Sequence, residues 1–204
     1  MASTVIRGNV SRILDVMEAS VTGRPGRPRS EPARQAVLHA VDDLLVDVGY
    51  AAMTMKGIAE RAGVGRQTVY RWWSTKAEIL LEACAEDAEQ ELTISPGADP
   101  ASDLVRYVKL LSAFLVESPA GLAYRALVGE AQHDPAVRAL VQAADLLAPT
   151  ADAVLDRVAP APPDRQVARM QLLGPVVTQI LTAGSPLTDT QLTTHVTTLL
   201  TAWR

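Results

Sequence analysis

The chain has one cysteine, Cys84, and three histidines, His39, His133 and His195, each isolated in sequence. A single thiol cannot close an internal disulfide, which suits a reducing compartment and leads to the expectation of a cytoplasmic protein. Cys84 then reads either as a packed helix residue or as a redox-sensitive one. The sequence shows no metal-spaced His/Cys set, no nucleophile–base pair, no converging carboxylates and no glycine-rich phosphate loop. His133 beside Asp134 reads as a polar pair at a helix end. An enzyme is therefore not expected, nor is a metal or a cofactor. No apolar run reaches the roughly 18 residues a membrane helix requires. The start, MASTVIRGNVSR, lacks the charged-then-apolar layout of a secretory leader.

At 204 residues and 48% apolar, the chain can bury a large core and accommodate two domains. Its net charge of −4 is unevenly divided. Residues 1–80 carry eleven Lys and Arg against eight Asp and Glu, whereas 81–204 carry eight against fifteen, giving +3 and −7. The first part suits a polyanion, and the second would be repelled by one.

Within the positive part, TMKGIAERAGVGRQTVYRWWSTK, from Thr54 to Lys76, reads as two short helices joined by a glycine turn. Thr54 is placed to cap the first, whose inward positions are Ile58, Ala59 and Ala62, and Gly63 supplies a left-handed end. A second helix from about Arg66 to Trp73 puts Val69 and Trp73 on one inward face. Arg66, Gln67, Thr68, Tyr70, Arg71 and Trp72 are left on its other faces. Thr75 and Glu78 form a T-x-x-E box that starts the next helix at Lys76. Spacing alone fits a packing hairpin as well as a DNA-reading helix-turn-helix. The outward set favours the reader, because a groove-reading helix needs base-edge donors flanked by phosphate contacts.

Before it, a helix from about Glu31 to Val48 is expected, capped by Ser30, with Pro32 in its first turn and a buried stripe of Val37, Val41, Leu44, Leu45 and Val48. Gly49 ends it. The segment RQAVLHAVDDLLVDVGY from Arg34 to Tyr50, followed by MTMKGIAERAGVGRQTVYRWWSTKAEILL from Met53 to Leu81, resembles the DNA-binding domain of the tetracycline-repressor (TetR) family of transcriptional regulators. The likeness covers three helices and the start of a fourth, including GIAERAGV, TVY and the lysine opening the linker helix. Gly65, where the family usually has serine, and Gln67, where it commonly has a small residue, depart from the pattern. Gly65 weakens the cap of the second helix, and Gln67 adds a side chain able to bond an adenine edge.

Ahead of these helices lies GRPGRPRS, Gly23 to Ser30. Arg24, Arg27 and Arg29 on a stiff, extended backbone suit either a narrow minor groove or a solvated basic linker. Further upstream, Ile6, Val10, Ile13, Leu14, Met17 and Val21 fall on a helical stripe. The alternatives are an extra amphipathic helix, a mobile tail, or translation beginning at Met17, which mass mapping of the native N-terminus separates.

After the linker helix, about 76–92, TISPGADP reads as a loop. Asp99-Pro100, Ser118-Pro119 and Asp134-Pro135 each pair a capping residue with proline at the first helical position. Helices are expected near 101–117, 119–132, 135–158 with a kink or break at Pro149, 164–183, and 189–203 behind a T-x-x-Q box at Thr188 and Gln191. The fold class is therefore all-α with about nine helices: an extension over 1–29, a helix-turn-helix domain over 30–81, and a helical bundle over 82–204. QVARMQLLGPVVTQILTAG is apolar nearly all round, so it belongs in a core or against another subunit.

The resemblance implies a homodimer in which the last two helices pair with their copies, through Met170, Leu173, Val177, Leu181, Val196, Leu199, Leu200 and Trp203. It implies a double-stranded DNA operator, palindromic to match the two-fold axis. Gln67 and Arg71 would contact bases, Thr54, Tyr70, Trp72 and Lys76 phosphates, and Arg66 either. The middle helices would enclose a small-molecule effector, with Tyr107, Phe114, Tyr124, Met170 and Gln171 as candidates combining bulk and polarity. The few charges on those faces point to an apolar or amphipathic effector. Effector binding would shift the linker helix and release a repressor from its operator. The competing reading is an architectural DNA-binding protein without effector control.

Overall fold

Side-chain caps and first-turn prolines set the helix starts in the computed structural model, which describes residues 31–158, 161, 162 and 164–203. Among the described residues there are ten α-helices and no strand: α1 Glu31–Ala52, α2 Met55–Arg61, α3 Arg66–Trp72, α4 Lys76–Leu92, α5 Pro100–Glu117, α6 Pro119–Glu130, α7 Pro135–Ala144, α8 Ala148–Leu155, α9 Arg165–Ala183 and α10 Asp189–Ala202. The all-α class is as expected. Asp99 accepts from Ser102 N–H, Asp134 from Ala136 and Val137 N–H, and Asp164 from Val167 N–H. Thr188 and Gln191 form the reciprocal box that opens α10. Ser30, the expected cap of α1, and the 1–29 extension with its apolar stripe lie outside the described residues.

Two expectations are corrected. The helix expected over 135–158 is two helices, because Asp145 adopts the left-handed conformation (φ 41°) and ends α7. Pro149 falls in the first turn of α8, where its missing N–H costs nothing. On α1, Val37 and Val41 are buried as expected, but Leu44 and Leu45 are only half-buried and Val48 is exposed. The buried face instead runs through Arg34, Val37, Leu38, Ala40 and Val41. Its direction is fixed by Arg34, which reaches Glu82 on α4. Gly49 (φ 75°, ψ 165°) interrupts α1 one turn before its end.

The chain divides into two compact units. The first contains the described residues up to Asp87 together with 123–145. Ile58, Val69, Trp73, Ile79, Leu80, Leu81 and Leu127 are fully buried side chains of this unit. The segment 123–145, expected in the effector bundle, groups with the helix-turn-helix instead. Electrostatic effects connect the two: Glu130 and Asp134 act on the Tyr50 phenol, and Cys84 of α4 acts, beside Asp145, on the Tyr124 phenol. Both phenols are pushed up to about 12, chiefly by burial.

The second unit comprises the described residues of 88–122 and 146–203. Its α5 buries Leu104, Tyr107, Val108, Leu111, Phe114 and Leu115 and packs against α8, α9 and α10. Two devices fix its corners. The buried carboxylate of Asp103 accepts from Gly97 N–H at 3.0 and 3.1 Å and from Arg106 at 2.7 Å, and pairs with Arg157. Asp152 on α8 and Asp156, which caps the end of α8, pair with Arg169 and Arg165 on α9, a four-residue spacing matched in reverse order.

Candidate nucleic-acid interface

The helix-turn-helix forms where the spacing placed it. Thr54 Oγ1 accepts from Gly57 N–H at 3.0 Å, closing the first turn of α2. Gly63, at φ 66°, turns the chain, and Val64 N–H bonds back to Ala59 O at 3.1 Å. Such a φ costs a side-chain-bearing residue on the order of 1–2 kcal/mol. Gly65 precedes α3 in extended conformation and offers no side-chain cap, as its identity implies. Ile58, Ala59 and Val69 are buried, joining α2 to α3, while Ala62 is half-buried.

Of the outward set, Arg66, Gln67, Tyr70 and Arg71 are exposed and Thr68 is half-buried. Tyr70 is 56% exposed, high for an aromatic ring. Arg66 lies 3.5 Å from Glu60, which also approaches Lys56 at 3.7 Å. Arg61 instead pairs with Asp47 and Asp43 on α1. Exposed pairs of this kind contribute about 0–1 kcal/mol each, so phosphates can compete for Arg66. The Arg71 guanidinium lies 5.6 Å from the Trp72 ring centroid.

Trp72 and Lys76 do not face outward. Trp72 is 4% exposed and meets Trp73 edge-on, with centroids 5.5 Å apart. Trp72 lies three residues and Trp73 four residues after the buried Val69, so both rings border the inward face of α3, and the backbone leaves the helical region at Trp73 (φ −136°, ψ 133°). Lys76 Nζ donates to Tyr50 O at 2.7 Å and Met53 O at 3.0 Å and lies 4.2 Å from the Tyr50 ring centroid. Its ammonium holds the chain between α1 and α2, so it is not the freely presented phosphate contact the resemblance implied. Thr75 caps Glu78 N–H, but Glu78 returns its bond to Ser74 N–H at 2.7 Å, one residue earlier than a standard box.

A buried relay lies behind α3. Trp73 Nε1 donates to Glu82 Oε2 at 2.7 Å, and Arg34 Nε donates to Glu82 Oε1 at 2.5 Å. Arg34 also bonds Glu31. Sequence reading missed this relay. The available signal was a carboxylate inside the apolar run ILLEACA, near a tryptophan whose N–H needs an acceptor when buried.

Arg24, Arg27 and Arg29 lie outside the described residues. The five effector candidates differ in surroundings. Tyr107 and Phe114 are core residues of α5, and the Tyr107 hydroxyl is bonded to Thr150 Oγ1 at 3.0 Å. Tyr124 belongs to the first unit. Met170 faces outward from α9, and Gln171 accepts from Trp203 Nε1 at 2.8 Å. Bulk and polarity identified these residues, but neither property fixes a direction.

The expected dimer set also splits. Met170 (63%) and Leu181 (40%) are exposed on α9, while Leu173, Val177 and Leu200 are half-buried. Val196, Leu199 and Trp203 are buried within their own chain, because α10 turns its apolar stripe toward α5 and α9. The outer face of α10 is threonine. Thr193, Thr197, Thr198 and Thr201 each donate to the carbonyl four residues back.

The family profile described as "Bacterial regulatory proteins, tetR family" matches residues 37–83, which span α1 to the first half of α4. The uncharacterised HTH-type transcriptional regulator YdeS of Bacillus subtilis (strain 168) is 37% identical over 109 residues, 53% of this chain and 54% of that protein. A second uncharacterised HTH-type transcriptional regulator, Rv1556 of Mycobacterium tuberculosis (strain ATCC 25618 / H37Rv), is 29% identical over 123 residues, 60% of each chain. The chain thus spans between half and two-thirds of the length of these curated relatives. The crystal structure of the TetR family transcription regulator SCO0332 superposes with a TM-score of 0.70 at 29% identity, covering 84% of this chain and 98% of that one. The multidrug binding protein EbrR, crystallised with imidazole, shares the fold with a TM-score of 0.63 at 20% identity, over 87% and 95% of the two chains. Residues 37–83, which carry the helix-turn-helix, match the tetR family of bacterial regulatory proteins, and 84% of the chain shares its fold with a TetR family transcription regulator.

Proposed function

We propose that the chain is a homodimeric repressor that reads a palindromic DNA operator through α3 and leaves it when a small molecule binds. The fold and the relatives are those of transcription regulators, which are not enzymes. The observation that carries the reading is the joint exposure of Arg66, Gln67, Tyr70 and Arg71 on a helix whose opposite face is locked to α2. Gln67 and Arg71 read base edges, and Arg66 serves either a base or a phosphate. Thr54 and Tyr70 hold the backbone and so fix orientation without selecting sequence. Arg24, Arg27 and Arg29 add affinity that weakens with salt.

Two copies joined through the exposed side of α9, which carries Met170 and Leu181, form a two-fold dimer, and a palindromic operator offers two α3 helices half-sites about one DNA turn, roughly 34 Å, apart. A small-molecule effector is supported by the shared fold with EbrR, a multidrug binding protein, and by the apolar character of α5 and α9. Its binding favours a state whose reading heads no longer match the operator.

The test begins with selection of bound duplexes from fragments of the source genome. Gln67→Ala should relax one base position at a cost of about 1–3 kcal/mol on the selected duplex and leave random duplex untouched. Equal loss on both duplexes removes the base-reading role. A panel of apolar and amphipathic compounds is then screened for release. Operator affinity that no compound alters favours the architectural alternative.

A further inference from the structure

Helix α3 is only seven residues long and opens at Gly65 without a side-chain cap. So short a helix has little stability of its own, and its direction must come from outside. Its opposite end is held by hydrogen bonds of defined direction: Trp73, the residue that ends α3, donates to Glu82, and Glu82 accepts from Arg34 on α1.

The chemistry of this relay exceeds what packing requires. Glu82 is 2% exposed and Arg34 8%. Burying a carboxylate and a guanidinium is costly unless both are paired, and apolar residues of similar size often stabilise a core equally well. An apolar contact at Trp73 would permit the ring to slide, whereas an N–H···O bond fixes its position along and around the α3 axis. One carboxylate with two bonded oxygens joins three elements, and α3 is the one that carries the outward residues.

We infer that Glu82 is a positioning residue for sequence reading. By fixing Trp73 against α1 through Arg34, it sets the axial position of α3, and with it the placement of Gln67 and Arg71 against base edges. The inference rests on the reading of α3 as the recognition helix. Base recognition depends on placement more steeply than phosphate contact does, so a loosened relay costs specific binding and spares random binding.

The test uses the full chain with Trp73→Phe, which keeps an aromatic side chain and the Arg34–Glu82 pair but removes the N–H donor, and Glu82→Gln, which keeps the size. Affinity is measured for a duplex selected from the source genome and for a random duplex of equal length, well below each variant's melting temperature. Each variant should bind the selected duplex about tenfold more weakly and the random duplex within about twofold of wild type. The double variant should be no weaker than the weaker single, since both cut the same relay. If Glu82→Gln does not fold, Trp73→Phe decides alone. Wild-type discrimination retained by the variants, or equal losses on both duplexes, overturns the inference. A wild-type protein that binds both duplexes alike removes the reading of α3, and the inference with it.

Discussion

At Lys76 the ammonium donates to two carbonyls, Tyr50 O and Met53 O, and sits over the Tyr50 ring. Lys76→Met removes both charge-assisted bonds and the cation–π contact, an expected loss of about 2–4 kcal/mol in urea unfolding. Because Lys76 faces inward, the salt dependence of DNA binding should be unchanged in the folded variant. A slope lower by about one unit would restore it as a phosphate contact. Trp72 was misplaced because only the four-residue step from Val69 to Trp73 was taken as inward, whereas the three-residue step from Val69 to Trp72 borders the same face. Gln67, Tyr70 and Arg71 lie off that face and were legible as an outward set. Glu82 was not, because its two partners lie 48 and 9 residues away in sequence.

Among the elements, the corner between α5 and α6 is the tightest. A Cβ on Gly121 would stand 1.8 Å from Phe114 O, far inside contact distance and against backbone, which cannot rotate aside. Gly121→Ala should therefore force the two helices apart and cost more than about 3 kcal/mol. An unchanged urea midpoint would mean that the corner is looser than described. Helix starts were legible wherever a capping side chain preceded proline, as at Asp99 and Asp134, because cap and proline are local signals. The end of α7 was not legible: Pro149 marked a break, but the turn falls at Asp145, whose left-handed conformation has only a weak sequence signal. The apolar character of α9 was legible, whereas the face it leaves outward depends on where α10 and α5 lie.

For the molecule as a whole, charge sets both binding and stability. The +3 to −7 division is visible in the sequence, and the positive part contains α3. The grouping of 123–145 with the helix-turn-helix is not, since it depends on contacts between distant segments. Within the first unit, burial, Asp87 and Asp43 raise the Asp42 carboxyl from 3.8 to about 6, against a smaller opposing effect of His39. Below the unfolded value both states hold the proton. Between it and about 6 the unfolded chain releases the proton while the folded chain keeps it, so stability falls as pH rises, and the full penalty stands above 6. Asp42→Asn should therefore melt at a higher temperature than wild type at pH 8, with the difference gone near pH 3.5. A constant difference across that range would remove Asp42 as its source. In the second unit, Asp103 binds Gly97 N–H, Arg106 and Arg157 together, while Arg106 and Arg157 also hold Ser95 O and Gly97 O. The proline- and glycine-bearing stretch 93–99 has the composition of a segment that opens on its own. Because its release also uncovers a buried charge, Gly97 belongs to the same cooperative unit as α5, and its amide should exchange with solvent no faster than the helix beside it.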